Sequence, residues 1–172
     1  TDVSLAFLNE NNDAKYNFYK DYQSQQVSIE IPKIEKDDLI LLGSFYSLNP
    51  LTRPTVVRLL EEAQEQGAIV YYDPNFRANH RQDLIHLMPN MIENFEAASI
   101  IRGSNEDFGY IFGLTEADKI YNEKLKYYGS PFICTTADGE VALRTHTFSK
   151  NYPVPRIETV STIGAGDTFN AG

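Results

Sequence analysis

Four consecutive residues near the end of the chain, Gly164, Ala165, Gly166 and Asp167, have the types and spacing that phosphate chemistry requires. The glycines allow a tight turn whose successive N–H groups point one way, and the small side chains let a ligand approach the backbone. Asp167 and Thr168 suit the first turn of a helix, where unpaired N–H groups and the helix dipole favour an anion. A carboxylate here would repel a phosphate, but it suits a base that takes a proton from a hydroxyl attacking that phosphate.

Two commoner phosphate-binding loops do not fit this segment. A Walker loop requires a lysine directly after its last glycine, whereas Asp167 follows Gly166. A dinucleotide-binding fingerprint requires a third small residue at the position that Phe169 occupies. An ordinary glycine turn with Asp167 as a helix-capping residue remains the alternative interpretation.

The elements that must position these residues alternate between strand and helix. Short apolar runs typical of buried strands are separated by segments with apolar residues at helical spacing. Repeated strand–helix–strand units predict an α/β fold with a mostly parallel sheet and helices on both faces. The predicted strands are 39–44, 68–72, 98–101, 132–136 and 141–145, and the predicted helices are 52–66, 84–95 and 115–128.

Local features refine these elements. The continuous apolar run Leu39–Ser44 predicts a strand that is buried on both faces. Pro89 is expected to kink or split the helix that contains it. Ser104, with Asp107 three residues later, predicts a capped helix start. Residues 1–26 predict a hairpin.

In parallel sheets, ligands bind beyond the carboxyl ends of the strands, a rule that selects the segments starting at Asp73, Ser104 and Thr135. The first of these contains Asn75 in a turn and Arg77, whose planar fork of donors suits phosphate or carboxylate. Each segment also has an alternative explanation. The first can be a capped turn with a solvated arginine. The second can place its acidic residues to suit the helix dipole, and the third can be an ordinary hairpin turn.

Composition excludes several classes of function. The chain has 172 residues, 42% of them hydrophobic, which is enough for a sizeable core. Its net charge of −9 and the absence of a basic cluster argue against nucleic acid and anionic membranes as partners. A single cysteine and the absence of an apolar run of membrane-spanning length indicate a cytoplasmic location. The spacing of the three histidines does not fit a zinc site.

The segment Thr162–Phe169 resembles the C-terminal signature of the ribokinase family of carbohydrate kinases, also called the PfkB family. The resemblance implies a ribokinase-like fold and a sugar kinase that uses ATP and Mg²⁺. It also implies that Gly164–Gly166 form the anion hole and that Asp167 is the catalytic base. The stretch Asp73–Arg77 resembles the Asp-Pro-Asn-x-Arg segment of fructokinases and 2-keto-3-deoxygluconate kinases. That likeness implies that Asn75 and Arg77 lie at the edge of the active site as substrate-binding residues, with Arg77 facing the substrate or the transferred phosphate.

Asn105 resembles the start of the family's Asn-x-x-Glu segment, which is tied to magnesium and phosphate, although Phe108 replaces the glutamate. Glu106 or Asp107 is therefore expected to contact Mg²⁺ through water. The segment from Thr135 resembles the family's Thr-x-Gly stretch near the nucleotide. By the same resemblance, the nucleotide-binding residues are expected to be Asn105, Thr135, Asp138 and Thr162.

The sequence is interpreted as part of a single ribokinase-like domain over residues 1–172, with the N-terminal sugar-binding part and the C-terminal end absent. Residues 1–26 are expected to belong to a lid or a sheet edge, and a homodimer through the lid strands is expected. Fructose is the first expected acceptor, with 2-keto-3-deoxygluconate or a nucleoside as alternatives. Departures from the family pattern at Phe108, Ala137 and Ser161 keep a non-catalytic sugar- or nucleotide-binding relative as an alternative of another class.

Overall fold

The computed structural model of the chain describes residues 3–8, 14–19, 30–136, 139–155 and 162–172. These residues belong to two compact units. The larger unit is Ser28–Pro155, and the smaller unit combines Thr1–Val27 with Arg156–Gly172.

The smaller unit begins with two antiparallel strands, β1 (Val3–Leu8) and β2 (Ala14–Tyr19). Their register pairs Val3 with Tyr19 and Leu8 with Ala14, as a hairpin requires. Residues 9–13, which would form the turn of the predicted hairpin, lie outside the described residues.

A mixed sheet of six strands forms the centre of the larger unit. The strands lie side by side in chain order, and each of the first four runs parallel to its neighbour. The last two continue the sheet as an antiparallel meander. The strands are β3 (Leu39–Gly43), β4 (Ile69–Asp73), β5 (Ile100–Ser104), β6 (Phe132–Thr135), β7 (Glu140–Arg144) and β8 (Ser149–Pro153).

Helices connect the parallel strands, as strand–helix alternation predicts. Local chemistry sets their ends: Pro54 lies in the first turn of the first helix, and Gly67 ends that helix in the left-handed region, at φ 75°. The fourth helix continues as a wide π turn and a 3₁₀ turn up to Gly129, at φ 82°. The helices are α1 (Arg53–Gln66), α2 (Leu84–Ala97), α3 (Asn105–Phe112) and α4 (Ala117–Ile120).

Aromatic side chains fix two of these helices on the sheet. Phe95 of α2 meets Tyr72 of β4 edge-on, with ring centroids 5.3 Å apart. Phe108 of α3 meets Phe132 of β6 edge-on, with centroids 5.1 Å apart. All four rings are fully buried, and each buried side chain of this size stabilises the fold by about 1.5–3 kcal/mol. The start of α3, which carries predicted site residues, is therefore tightly held against β6.

Three details differ from the sequence-based predictions. Leu39 and Leu41 are 66% and 58% exposed, because only the opposite face of β3, which carries Leu42, joins the core of the described residues. Pro89 lies inside α2 and does not split this helix. The carbonyl that Pro89 cannot bond belongs to Ile85, whose residue is 83% exposed, so water can satisfy it. Strand β8, fully exposed along its length, was not predicted.

Candidate active site

The carboxyl ends of four parallel strands meet at one edge of the sheet. Gly43 of β3 is in register with Asp73 of β4, and Ser104 of β5 is in register with Thr135 of β6. The segments starting at Asp73, Ser104 and Thr135, which the sequence singles out separately, therefore lie at the same edge. We call this edge the carboxyl edge.

Asp73 organises the turn that follows β4. Its Oδ1 accepts a hydrogen bond from the N–H of Asn75 at 3.1 Å, and its backbone carbonyl accepts one from the N–H of Ser44 at 3.2 Å. Asn75 and Ser44 have φ values of 41° and 60°, which few non-glycine residues adopt, although asparagine does so more readily than serine. Such strain concentrates at functional sites, where surrounding structure holds it in place. In this structure Asp73 is the residue that links both strained positions.

A buried arginine joins three strands at the same edge. The Nη1 of Arg102 in β5 donates to Oδ2 of Asp73 at 2.7 Å, and its Nη2 donates to Oγ1 of Thr135 at 3.0 Å. The side chains of Arg102 and Asp73 are only 6% and 5% exposed. Sequence reasoning selected the segment that starts at Asp73 but assigned no site role to Asp73 itself or to Arg102. The available signal was a charged side chain inside an apolar strand, which must find a partner when it is buried.

Ser104 and Asp107 form the predicted cap at the start of α3. Both the N–H and the hydroxyl of Ser104 donate to Oδ2 of Asp107, at 2.8 Å and 2.6 Å, and the N–H of Asp107 donates back to Oγ of Ser104 at 3.1 Å. Burial raises the pKa of the Asp107 carboxyl, while these hydrogen bonds and the charge of Arg77 oppose the increase. The charge of Arg77 therefore acts on the carboxylate at the start of α3.

The remaining residues of this segment differ in their surroundings. Glu106 is exposed, and its Oε1 accepts a hydrogen bond from the Tyr110 hydroxyl at 2.8 Å, which raises the pKa of Tyr110. Asn105 is half-buried, whereas Phe108 is fully buried in the core. Within the described ranges, no group of three or more His, Cys, Asp or Glu side chains could hold a metal ion directly. Glu106 and Asp107 are the two acids that are expected to contact Mg²⁺ through water.

The glycine turn of the smaller unit leads into α5 (Ala165–Ala171). Gly164 precedes the helix in the left-handed region, at φ 75°, and its carbonyl accepts the N–H of Thr168 at 2.8 Å. The N–H of Ala165 donates to the carbonyl of Thr162 at 3.2 Å. The N–H groups of residues 166 and 167 lie in the first turn, where no preceding helical carbonyl can accept them. Asp167 is exposed beside them.

Other predicted positions fall outside the described residues. They are Asp138, one of the four expected nucleotide-binding residues, and the departures Ala137 and Ser161.

The whole chain, residues 1–172, matches the pfkB family of carbohydrate kinases. This chain is a member of that family. A fructokinase from Rhizobium leguminosarum bv. trifolii is 26% identical over 174 residues, which cover 98% of this chain and 53% of that protein. The probable chloroplastic fructokinase-6 of Arabidopsis thaliana is 24% identical over 184 residues, covering 99% of this chain and 46% of that protein. The pfkB chain thus spans about half the length of these relatives.

Solved structures agree on the fold. A double mutant of fructokinase from Vibrio cholerae O395, in its fructose-, ADP- and potassium-bound form, has a TM-score of 0.85 at 17% identity, over 99% of this chain and 56% of that one. Aminoimidazole riboside kinase from Salmonella enterica, complexed with aminoimidazole riboside and an ATP analogue, has a TM-score of 0.70 at 22% identity, over 83% and 48%. These similarities confirm the predicted ribokinase-like α/β fold.

No helix in the described parts of the pfkB chain is both long enough and apolar enough to cross a membrane.

Proposed function

We propose that the protein carrying this chain is a sugar kinase that transfers the γ-phosphoryl group of ATP to a hydroxyl of fructose. The observation that carries the proposal is the exposed Asp167 in the first turn of α5, directly after the glycine turn at Gly164. A base and anion-binding donors on adjacent residues are what phosphoryl transfer to an alcohol requires. The fructokinase relatives support the choice of acceptor.

In the proposed reaction, the carboxylate of Asp167 takes the proton of the attacking sugar hydroxyl as the oxygen–phosphorus bond forms. The bond from the γ-phosphorus to the bridging oxygen breaks, and ADP leaves. Backbone N–H groups of the turn Gly164–Gly166 and the first turn of α5 stabilise the charge on the phosphoryl oxygens, and Arg77 neutralises part of it. Asn75 and Arg77 bind the substrate.

Glu106 and Asp107 would hold Mg²⁺ through water at the start of α3. Bound Mg²⁺ supplies positive charge that screens the phosphates. The nucleotide would contact Asn105, Thr135, Asp138 and Thr162. Since Oγ1 of Thr135 already accepts from Arg102, its hydroxyl proton is the group available for a ligand.

The decisive experiment measures ADP production by the full-length protein with fructose and with no sugar. Asp167→Asn should lower kcat by about 10²- to 10⁴-fold, because the base acts in the transition state, and ATP binding should change far less. Asp37→Asn is the matched control: Asp37 is exposed, it lies before β3 at the opposite edge of the sheet, and asparagine tolerates its φ of 69°. Activity of Asp167→Asn within a few-fold of the wild type would contradict the role of the base.

Two other acceptors compete with fructose. If Arg77 binds a substrate carboxylate, Arg77→Ala should raise KM for 2-keto-3-deoxygluconate and leave KM for fructose unchanged. The fold similarity to aminoimidazole riboside kinase makes a nucleoside the third acceptor to assay. ATP binding without turnover on any of the three would identify a non-catalytic relative.

We further propose a cytoplasmic homodimer that forms through β1 and β2. Val3, Leu5, Phe7 and Tyr19 on these strands are 42–59% exposed, which leaves apolar surface for a second copy to cover. Sedimentation velocity on the full-length protein tests the dimer, and a monomer at micromolar concentration would contradict it.

A further inference from the structure

The carboxyl edge contains a buried polar assembly that the proposed chemistry does not use. Asp73, Arg102 and Thr135 come from three adjacent strands and are joined by two hydrogen bonds from one guanidinium group. We call these three residues the strand clamp. An ion pair this deeply buried adds little net stability compared with apolar side chains of the same volume, because both charges lose their water. A gain in stability therefore does not explain why the strand clamp contains a buried ion pair.

The contacts of Asp73 indicate what the strand clamp holds. Oδ2 accepts from Arg102, Oδ1 accepts from the N–H of Asn75, and the backbone carbonyl accepts from the N–H of Ser44. These bonds maintain the turn in which Asn75 has a φ of 41°. Arg77 follows Asn75 by two residues, directly after this turn.

Arginine is required for this geometry. Its two terminal nitrogens donate in fixed directions to Asp73 and Thr135, at 2.7 Å and 3.0 Å. A lysine keeps the charge but offers a single donor nitrogen on a flexible stem, so it cannot hold both partners in the same plane. Without a fixed Asp73 carboxylate, the turn at Asn75 loses the acceptor that maintains its unusual backbone conformation.

We propose that Arg102 is a positioning residue: through Asp73 it fixes the turn at Asn75 and thereby aims Arg77 at the reacting phosphate. This role rests on the proposed kinase function. Arg102 itself contacts Asp73 and Thr135, and its effect on catalysis passes through the turn.

Arg102→Lys in the full-length protein tests the role. We expect kcat with fructose to fall about 10- to 100-fold, because misplacement by about 1 Å costs up to 10²-fold in rate. KM for ATP should stay within about threefold. The decisive comparison adds Arg77→Ala: if Arg102 acts through Arg77, Arg102→Lys should reduce kcat by less than about threefold in that background.

Arg144→Lys is the matched control. Arg144 is also buried, 7% exposed, and its Nε donates to Oδ1 of Asp118 at 2.7 Å. It lies in β7 opposite Phe132, the first residue of β6, and thus near the amino ends of the parallel strands, away from the carboxyl edge. This control should lose stability as Arg102→Lys does, but its kcat should stay within twofold of the wild type.

A second readout does not depend on activity. Hydrogen exchange at the amide of Asn75, which donates to Asp73, should become at least tenfold faster in Arg102→Lys and remain unchanged in Arg144→Lys. If Arg102→Lys does not fold, Asp73→Asn replaces it, because asparagine keeps the carbonyl oxygen for Asn75 but loses the charge that Arg102 binds.

The outcomes separate the two proposals. A wild-type protein without fructose turnover removes the proposed function, whereas unchanged exchange at Asn75 in Arg102→Lys overturns the strand clamp. Wild-type kcat in Arg102→Lys, or an undiminished effect in the Arg77→Ala background, also overturns the positioning role.

Discussion

Gly103 gives the sharpest test of how the site is packed. It lies in β5 between Arg102 and Ser104, directly beneath the ring of Phe108. A Cβ atom added at Gly103 would lie 2.5 Å from Cε2 of that ring and 3.2 Å from Cζ, where ordinary contacts begin at 3.4 Å. The ring cannot move away freely, because it is fully buried and meets Phe132 edge-on.

Gly103→Ala should therefore lower the free energy of unfolding. Forcing about 1 Å of displacement into a filled core costs about 1–3 kcal/mol, and the reduced entropy of the unfolded chain returns about 0.4–1 kcal/mol. We expect a net loss of about 1–2 kcal/mol. Because Ser104 and Asn105 follow immediately, kcat should fall as well.

Urea denaturation followed by circular dichroism measures this loss, since the chain has no tryptophan to report it. Gly43→Ala is the matched control, because an added Cβ at the end of β3 meets its nearest atom, the carbonyl oxygen of Asp73, at an ordinary 3.5 Å. It should leave stability unchanged or raise it by up to about 1 kcal/mol. Phe108→Leu removes the clashing ring atoms, so the double variant should be more stable than the two single losses predict. Equal stability of Gly103→Ala and Gly43→Ala would refute the reasoning.

Two further predictions concern titratable groups. Burial raises the pKa of Asp107 in the folded protein, so its charge destabilises the fold increasingly as pH rises above the ordinary aspartate range. Asp107→Asn keeps one carbonyl oxygen that can accept both hydrogen bonds from Ser104. The stability of this variant relative to the wild type should therefore be more favourable at pH 7 than at pH 4. The same difference in urea midpoint between variant and wild type at both pH values would contradict this. Burial raises the pKa of the Cys134 thiol to about 11, so iodoacetamide at pH 8 should label it at least about 100-fold more slowly in native protein than in urea. Mass spectrometry measures the two labelling rates, and equal rates in native protein and in urea would show that the native thiol is accessible.

Much of the architecture follows from the sequence alone, because it depends on neighbouring residues. The start of α3 is determined within four residues, where Ser104 and Asp107 exchange hydrogen bonds across one helical turn. The end of α1 is determined by Gly67, which adopts a left-handed conformation that residues with a Cβ resist. Asp167 and Gly164 are likewise identified by local chemistry, since turn, helix start and carboxylate occupy consecutive positions.

Other features depend on sheet order, which no local pattern contains. The apolar run of β3 predicts burial on both faces, yet Leu39 and Leu41 are exposed because only the opposite face of this strand joins the core of the described residues. The polar stretch Ser149–Pro153 lacks the pattern of a strand and forms β8 by pairing with β7. Pro89 fits within α2 because it faces solvent.

The same distinction applies to the candidate site: some of its features follow from local sequence, and others follow only from the folded sheet. The sequence determined that Asn75, Arg77 and the start of α3 follow predicted strand ends, since each segment contains its own turn or helix signals. Only the tertiary structure joined Arg102 to Asp73, 29 residues earlier, and to Thr135, 33 residues later. A buried charge must find a partner, but which partner it finds is decided by the strands that lie beside it in the folded sheet.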